Sequence, residues 1–113
     1  MAQELIKNIT KAQAMSLKDL VAYEAGQVTS LTLAQKDVLT VTVFAFDPDT
    51  GIGGHASTGD AMVYVLEGEA HIRIGDEMHT VKAGETIVMP AGIPHALDAK
   101  TGKFKMLLIV VKP

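Results

Sequence analysis

The chain has 113 residues, of which 48% are hydrophobic and 20% are charged, and its net charge is −3 at pH 7. These values indicate one globular domain and exclude a disordered chain. No run of Lys or Arg is present, so nucleic acid and anionic membranes are poor partners. The lack of Cys excludes disulfides and thiolate metal sites. No apolar run is as long as a membrane span, and we expect a soluble cytoplasmic protein with no membrane partner.

The first 26 residues are the least regular part of the chain, and we expect them to form an N-terminal extension to a domain of residues 27–113. The stretch "SLKDLVAYEAG" predicts one helical turn, with Ser16 as N-cap and Asp19 at the third helical position. We expect the extension to contribute a short helix or a strand that packs on the domain or on a partner subunit.

From residue 27 onward the sequence predicts short strands. The stretch "VLTVTVFAF", residues 38–46, is β-branched and aromatic, and "AMVYVLEG" is a strand that ends at Gly68. Gly75 and Asp76 predict a two-residue hairpin loop. About eight strands, separated by turn signals and accompanied by almost no helix, predict an all-β sandwich or barrel.

The last strand, within "KFKMLLIVVKP", is apolar on both of its faces. A half-exposed strand alternates between apolar and polar residues, so the second face of this strand is expected to be covered. A partner subunit, the N-terminal segment or another part of the same chain would cover it.

The stretch "GETIVMPAGIPHALDA" carries the spacing G-x5-P-x-G-x2-H, from Gly84 to His95. Pro90 has no N–H group and ends the ladder of its strand, while Gly92 can adopt a positive φ and turn the chain back. His95 then opens the returning strand, where it can point inward. This pattern resembles the second motif of the cupins, although Ala99 stands where that motif ends in Asn.

The resemblance implies the cupin fold, a double-stranded β-helix that forms a small jelly-roll-like barrel, over about residues 38–111. The first cupin motif is G-x5-H-x-H-x3,4-E-x6-G. His55 matches its first His and Gly68 its closing Gly. Ser57 and Ala61 occupy the positions of the second His and the Glu, and Asp60 lies one residue before the Glu position. The four-ligand site of the family therefore does not carry over to this chain.

In the family, three His and one Glu bind a divalent metal, and such ligands suit Fe, Mn, Ni, Cu or Zn. His55 and His95 could hold such a metal here. Asp60 could join them if a bulge at Gly59 turned it inward, whereas strand alternation points it outward. Alternatively, no cofactor is bound, and the two His form hydrogen bonds with each other, with Ser57 or with water. His71 and His79 are expected to be ordinary strand residues, His71 on the solvent face.

Large, adaptable side chains lie near both motifs, and about half of them must point inward. They are Phe44, Phe46, Met62, Tyr64, Met89 and Met106. A Met-rich cavity with two His suits a small organic ligand that has one polar or anionic group. The residues expected to bind such a ligand are His55, Ser57, Tyr64, Met89 and His95.

The resemblance and the residues together predict a small single-domain cupin that binds a small molecule, through a divalent metal held by two His. Two alternatives remain open. One is a metal-free barrel that binds or senses a ligand, and the other is a metal-free isomerase or lyase in which a His acts as general base. Whether the protein is an enzyme is left open. The resemblance and the apolar last strand imply a homodimer.

Overall fold

The computed structural model describes residues 5–113, apart from the side chain of His55. Its strands are β1 Val28–Lys36, β2 Leu39–Phe46, β3 Gly51–His55, β4 Asp60–Glu67, β5 Glu69–Ile74, β6 Glu77–Lys82, β7 Thr86–Met89, β8 His95–Asp98 and β9 Phe104–Val111. A short 3-10 helix, Leu17–Leu20, precedes β1. Among the described residues, no helix is long and apolar enough to cross a membrane.

The strands form two antiparallel sheets. One sheet has five strands in the order β1-β2-β9-β4-β7, and the other has four in the order β3-β8-β5-β6. From β3 onward the chain crosses repeatedly between the two sheets, as a double-stranded β-helix does. The prediction of an all-β barrel is therefore confirmed.

The predicted turns lie where the sequence places them. Gly75, in the two-residue loop between β5 and β6, has a φ of 58°. Pro90 directly follows β7, Gly92 has a φ of 77°, and His95 begins β8. Only glycine enters this left-handed region of the backbone at no steric cost, so these two positions require it.

The inner faces of the two sheets pack against each other to form the core. Along β4, Ala61, Val63 and Val65 are buried, while the residues between them are exposed. At one end of the barrel the rings of Phe46 and Phe104 stack, with their centroids 4.4 Å apart. This aromatic pair fills the interior at that end, because each ring has a large area and no polar group.

A second apolar cluster lies on the outer face of the five-stranded sheet. Val21 and the partly buried Leu17 of the N-terminal segment pack there with Val43 of β2 and Leu107 of β9. The N-terminal segment therefore covers part of the second face of the last strand. The predicted helical turn is present, but the side chain of Ser16 forms no cap. The backbone carbonyl of Ser16 instead accepts a hydrogen bond from the Asp19 N–H at 3.0 Å, and this bond begins the helix.

Tyr23 fastens the N-terminal segment to the sheet. Its hydroxyl donates to Glu67 Oε2 at 2.5 Å, and the Nζ atoms of Lys103 and Lys105 lie 4.6 and 4.9 Å from its ring centroid. Burial and the Glu67 carboxylate raise the pKa of Tyr23 well above its ordinary value. The hydrogen bond from Tyr23, together with nearby Lys side chains, holds the pKa of Glu67 below its ordinary value.

We expect Tyr23→Phe to lower the free energy of unfolding by about 1 kcal/mol at pH 7, because this charge-assisted hydrogen bond is partly exposed. A carboxyl group whose pKa is lowered by folding stabilises above its unfolded pKa and loses that effect as the pH falls through the folded pKa. The difference in the free energy of unfolding between Tyr23→Phe and wild type should therefore shrink as the pH falls below 4.5, the ordinary pKa of a Glu side chain. Urea unfolding at several pH values measures it. Tyr64→Phe, at an exposed position, is the matched control, and equal losses in both variants would contradict the assignment.

Candidate functional site

A cavity of about 360 Å³ lies between the sheets. Along β9, Phe104 lies at the packed end of the barrel, whereas Leu108 and Val110 lie toward the other end and line the cavity. The remaining lining residues are mostly apolar and come from both sheets and the loop before β4. They are Phe44, Ile52, Ala56, Ser57, Ala61, Met89, His95, Leu97 and Met106.

His95 is the one titratable side chain among the described lining residues. It is only 4% exposed, and its Nδ1 lies 3.3 Å from the carbonyl oxygen of Ile93. An Nδ1–H group would donate to that carbonyl, which would fix the orientation of the ring. Position 95 thus presents a polar group to a mostly apolar cavity.

Ser57 brings a second polar side chain to the cavity, from the loop between β3 and β4. Its Oγ accepts a hydrogen bond from the Gly59 N–H at 3.1 Å. Its carbonyl oxygen accepts from the Gly92 N–H at 2.8 Å. The loop is therefore tied to the Pro–Gly corner that precedes His95.

His55 ends β3, and its Cα is paired with that of His95 in the antiparallel ladder between β3 and β8. The backbone thus brings the two predicted residues to neighbouring strands. The side chain of His55 lies outside the described part of the structure. Its predicted roles in metal and ligand binding stay predictions.

Asp60 does not face the cavity, and this corrects the expectation that it could join a metal site. The register between β4 and β9 is continuous through Asp60–Val111 and Ala61–Val110, so no bulge re-aims the side chain. Ala61 therefore takes the inner position and Asp60 the exposed outer one. The Asp60 carboxylate accepts a hydrogen bond from the Ala91 N–H at 2.8 Å.

Tyr64 also lies on the outer face of β4, where it is 41% exposed, and this corrects its expected place among the ligand-binding residues. Met89 and Ser57 do line the cavity. Sequence reasoning missed several lining residues: Ile52, Ala56, Ala61, Leu97, Leu108 and Val110. Strand periodicity could have found some of them, because Leu97 lies two residues after His95, and Leu108 and Val110 follow Met106 in the same phase.

The other two His lie away from the lining residues. His71 is on the outer face of β5, and its Nε2 is 2.7 Å from Thr101 Oγ1. His79 lies opposite Ile72 on the edge strand β6 and is partly exposed. Neither contributes to the cavity.

Comparison with known proteins agrees with this architecture. The family model of the cupin domain matches residues 42–112. The chain belongs to the cupin family. Comparison with curated proteins finds no significant match.

Solved structures resemble this cupin over nearly its whole length. A conserved protein of unknown function from Streptococcus pyogenes is 50% identical, with a TM-score of 0.95 and coverage of 100% of this chain and 98% of that one. A cupin superfamily protein from Desulfitobacterium hafniense is 30% identical, with a TM-score of 0.90 over 96% and 98% of the two chains. A cupin 2 conserved barrel domain protein from Leptotrichia buccalis is 41% identical, with a TM-score of 0.85, over 87% of this chain and 47% of that one.

The described residues of this cupin do not fit a metal held by three His and one Glu. Ala61 occupies the Glu position, where its methyl group faces the cavity and donates nothing. Ser57 offers a neutral hydroxyl, which is a weak ligand for transition metals. Among the described residues, no three His, Cys, Asp or Glu side chains lie close enough together to hold an ion.

We expect wild type to bind Ni²⁺ or Zn²⁺ weakly, and the double variant Ser57→His/Ala61→Glu to bind roughly 100-fold more tightly, because it restores an imidazole and a carboxylate. Calorimetric titration measures both affinities. Ala96→Glu, which adds a carboxylate on the outer face of β8, is the control and should leave the affinity unchanged. Equally tight binding by wild type would contradict the argument from ligand chemistry and support a site held by His55 and His95.

The loop that carries Ser57 depends on glycine at position 59. Gly59 is buried, and a Cβ atom there would collide with the carbonyl group of Val111. We expect Gly59→Ala to lower the free energy of unfolding by about 1–3 kcal/mol, because the carbonyl group that the new Cβ would meet belongs to the backbone of β9 and cannot move aside without shifting the strand. Gly53→Ala, where a Cβ would meet nothing within 4 Å, should change it by less than about 0.5 kcal/mol. Thermal unfolding compares the two variants, and equal stabilities would refute the clash.

Proposed function

We propose that this cupin binds a small, mostly apolar organic molecule with one polar group in the barrel cavity. The observation that carries the proposal is a cavity of about 360 Å³ whose described lining is apolar except for His95 and Ser57. This volume lies at the lower end of the range for small-molecule sites. Met89 and Met106 line the cavity and can adapt to the shape of a ligand, since Met side chains are unbranched and flexible.

His95 is the proposed polar contact. Because it is buried in an apolar surrounding, a hydrogen bond between its ring and a ligand hydroxyl or carboxyl group would be shielded from water. Ser57 offers a second donor and acceptor on the neighbouring loop. Two polar groups on one side of an apolar cavity would orient a ligand that has a single polar end.

A metal-free isomerase or lyase is the second candidate, with His95 as general base. The Nδ1 of His95 lies within hydrogen-bond distance of the Ile93 carbonyl, at 3.3 Å, and a tautomer with Nδ1–H would leave on Nε2 the lone pair that a general base needs. The variant His95→Gln distinguishes ligand binding from general-base catalysis, because Gln can form a hydrogen bond but cannot accept a proton as a base. A loss of turnover in this variant, with ligand binding unchanged, would support His95 as the general base.

The cytoplasmic location stays a prediction.

The proposed site can be tested with p-cresol, indole and hexanoate as probes in NMR titrations of the protein. We expect at least one probe to bind saturably to wild type, and Ala61→Leu to weaken that binding at least about tenfold by filling the cavity. The control Ala96→Leu enlarges a side chain on the outer face of β8 and should leave binding unchanged. Ala61→Leu should also keep the stability of wild type, since its new atoms enter open space.

Three results would contradict the proposal. Failure of every probe would rule out this ligand class. Equal affinities for wild type and Ala61→Leu would place binding outside the cavity. A loss of about 1–3 kcal/mol of stability in Ala61→Leu, the usual effect of overpacking, would show that the interior is already full.

A further inference from the structure

The corner between β7 and β8, residues 90–94, leads directly to His95. The Ile93 N–H donates to the Pro90 carbonyl oxygen at 3.4 Å, which closes a four-residue turn, and Gly92 supplies the positive φ at its third position. The carbonyl oxygen of Ile93 in turn lies 3.3 Å from Nδ1 of His95. The orientation of the buried ring therefore depends on where the turn holds this carbonyl.

The ladder between β4 and β7 stops just before this corner. Its last pair is Ala61 with Met89, so the next residues in the same register are Asp60 and Pro90. Pro90 has no N–H group and cannot donate to β4. The Asp60 side chain instead accepts a hydrogen bond from the N–H of the following residue, Ala91, at 2.8 Å. Asp60 thus extends the connection between the two strands past the point at which the backbone ladder ends.

A second hydrogen bond holds the next N–H group of the turn. The Gly92 N–H donates to the backbone carbonyl of Ser57 at 2.8 Å. This bond joins backbone to backbone, so a change of side chain does not remove it. The bond to Asp60 has a side-chain carboxylate as its acceptor, and such a bond is stronger than one between neutral groups. Of the two bonds, the one to Asp60 is therefore the one that the choice of residue controls.

We propose that Asp60 is a positioning residue for His95, because its carboxylate holds the turn and, through the turn, the orientation of the His95 ring. The inference rests on the proposed function, since it explains how the polar contact of the ligand is held in place. Asp60 itself lies on the outer side of β4 and does not line the cavity. When only a fraction of the molecules holds the ring in the orientation that binds, the apparent affinity falls by that fraction. Loss of the carboxylate should therefore weaken binding without removing a contact to the ligand.

The first experiment measures the ring nitrogen chemical shifts of His95 by NMR in alkaline solution, where an imidazole ring is neutral. The variant His95→Gln identifies the signals. We expect wild type to show the two well-separated nitrogen signals of a single tautomer, and Asp60→Ala to show signals that move toward each other as the ring samples both tautomers. Asp60→Asn should stay close to wild type, because its amide oxygen can still accept from Ala91.

Asp98→Ala is the matched control. The Asp98 carboxylate also accepts a hydrogen bond from a backbone N–H group, that of Lys100 at 3.1 Å, but at the opposite end of β8. This variant should show the wild-type signals of His95. A wild-type spectrum in Asp60→Ala, averaged signals in wild type itself, or equal changes in Asp60→Ala and Asp98→Ala would overturn the positioning role. Failure of Asp60→Asn to restore the spectrum would overturn the hydrogen bond as its cause.

The second experiment measures the affinity of the same variants for whichever of p-cresol, indole and hexanoate binds wild type most tightly. We expect Asp60→Ala to bind about threefold to tenfold more weakly, and Asp60→Asn and Asp98→Ala to bind as wild type does. An unchanged affinity in Asp60→Ala would overturn the positioning role and leave the ligand site standing. Failure of all three probes to bind wild type would contradict the ligand site instead, and the ring spectra would still decide the role of Asp60.

Discussion

The interior of the barrel is filled unevenly, and this difference in side-chain size leaves the space for a ligand. Phe46 and Phe104 stack at one end, where their rings close the gap between the sheets. Toward the other end, the inner position of β4 is Ala61, opposite Val110 of β9. Because the distance between packed sheets is set by the backbone and by the large residues, the small side chain of Ala61 leaves open space beside it and does not pull the sheets together.

The five-stranded sheet has a second face, and the chain covers only part of it. The N-terminal segment packs over one half, where Tyr23 binds Glu67, while Met62, Val88 and Val111 stay exposed on the other half. The loop between β3 and β4 connects this outer surface with the cavity. Its Ser57 lines the cavity, whereas Gly59 packs against Val111 of β9.

Local chemistry explains which features could be predicted. Pro90 ends a strand because it lacks an N–H group, and Gly92 turns the chain because only glycine tolerates that φ without strain, so the corner before His95 was predictable. The fold followed from the spacing of these residues. The place of Tyr64 could have been predicted as well, because it lies four residues after Asp60 on one strand and so shares the face that alternation already turns outward. The regular pairing of β4 with β9 from Asp60 to Val65 confirms that Asp60 and Tyr64 both point outward.

The sequence by itself determined the all-β class, the turns, the family, and the loss of the family's Glu at position 61, because each of these depends on residue types and their spacing along the chain. Only the tertiary structure decided which residues surround the cavity and which of the apolar residues stay exposed. Ile52, Leu97 and Val110 come from three different strands in two sheets. Their meeting depends on strand register and on the packing of one sheet on the other, and these pairings between distant segments cannot be read from local patterns.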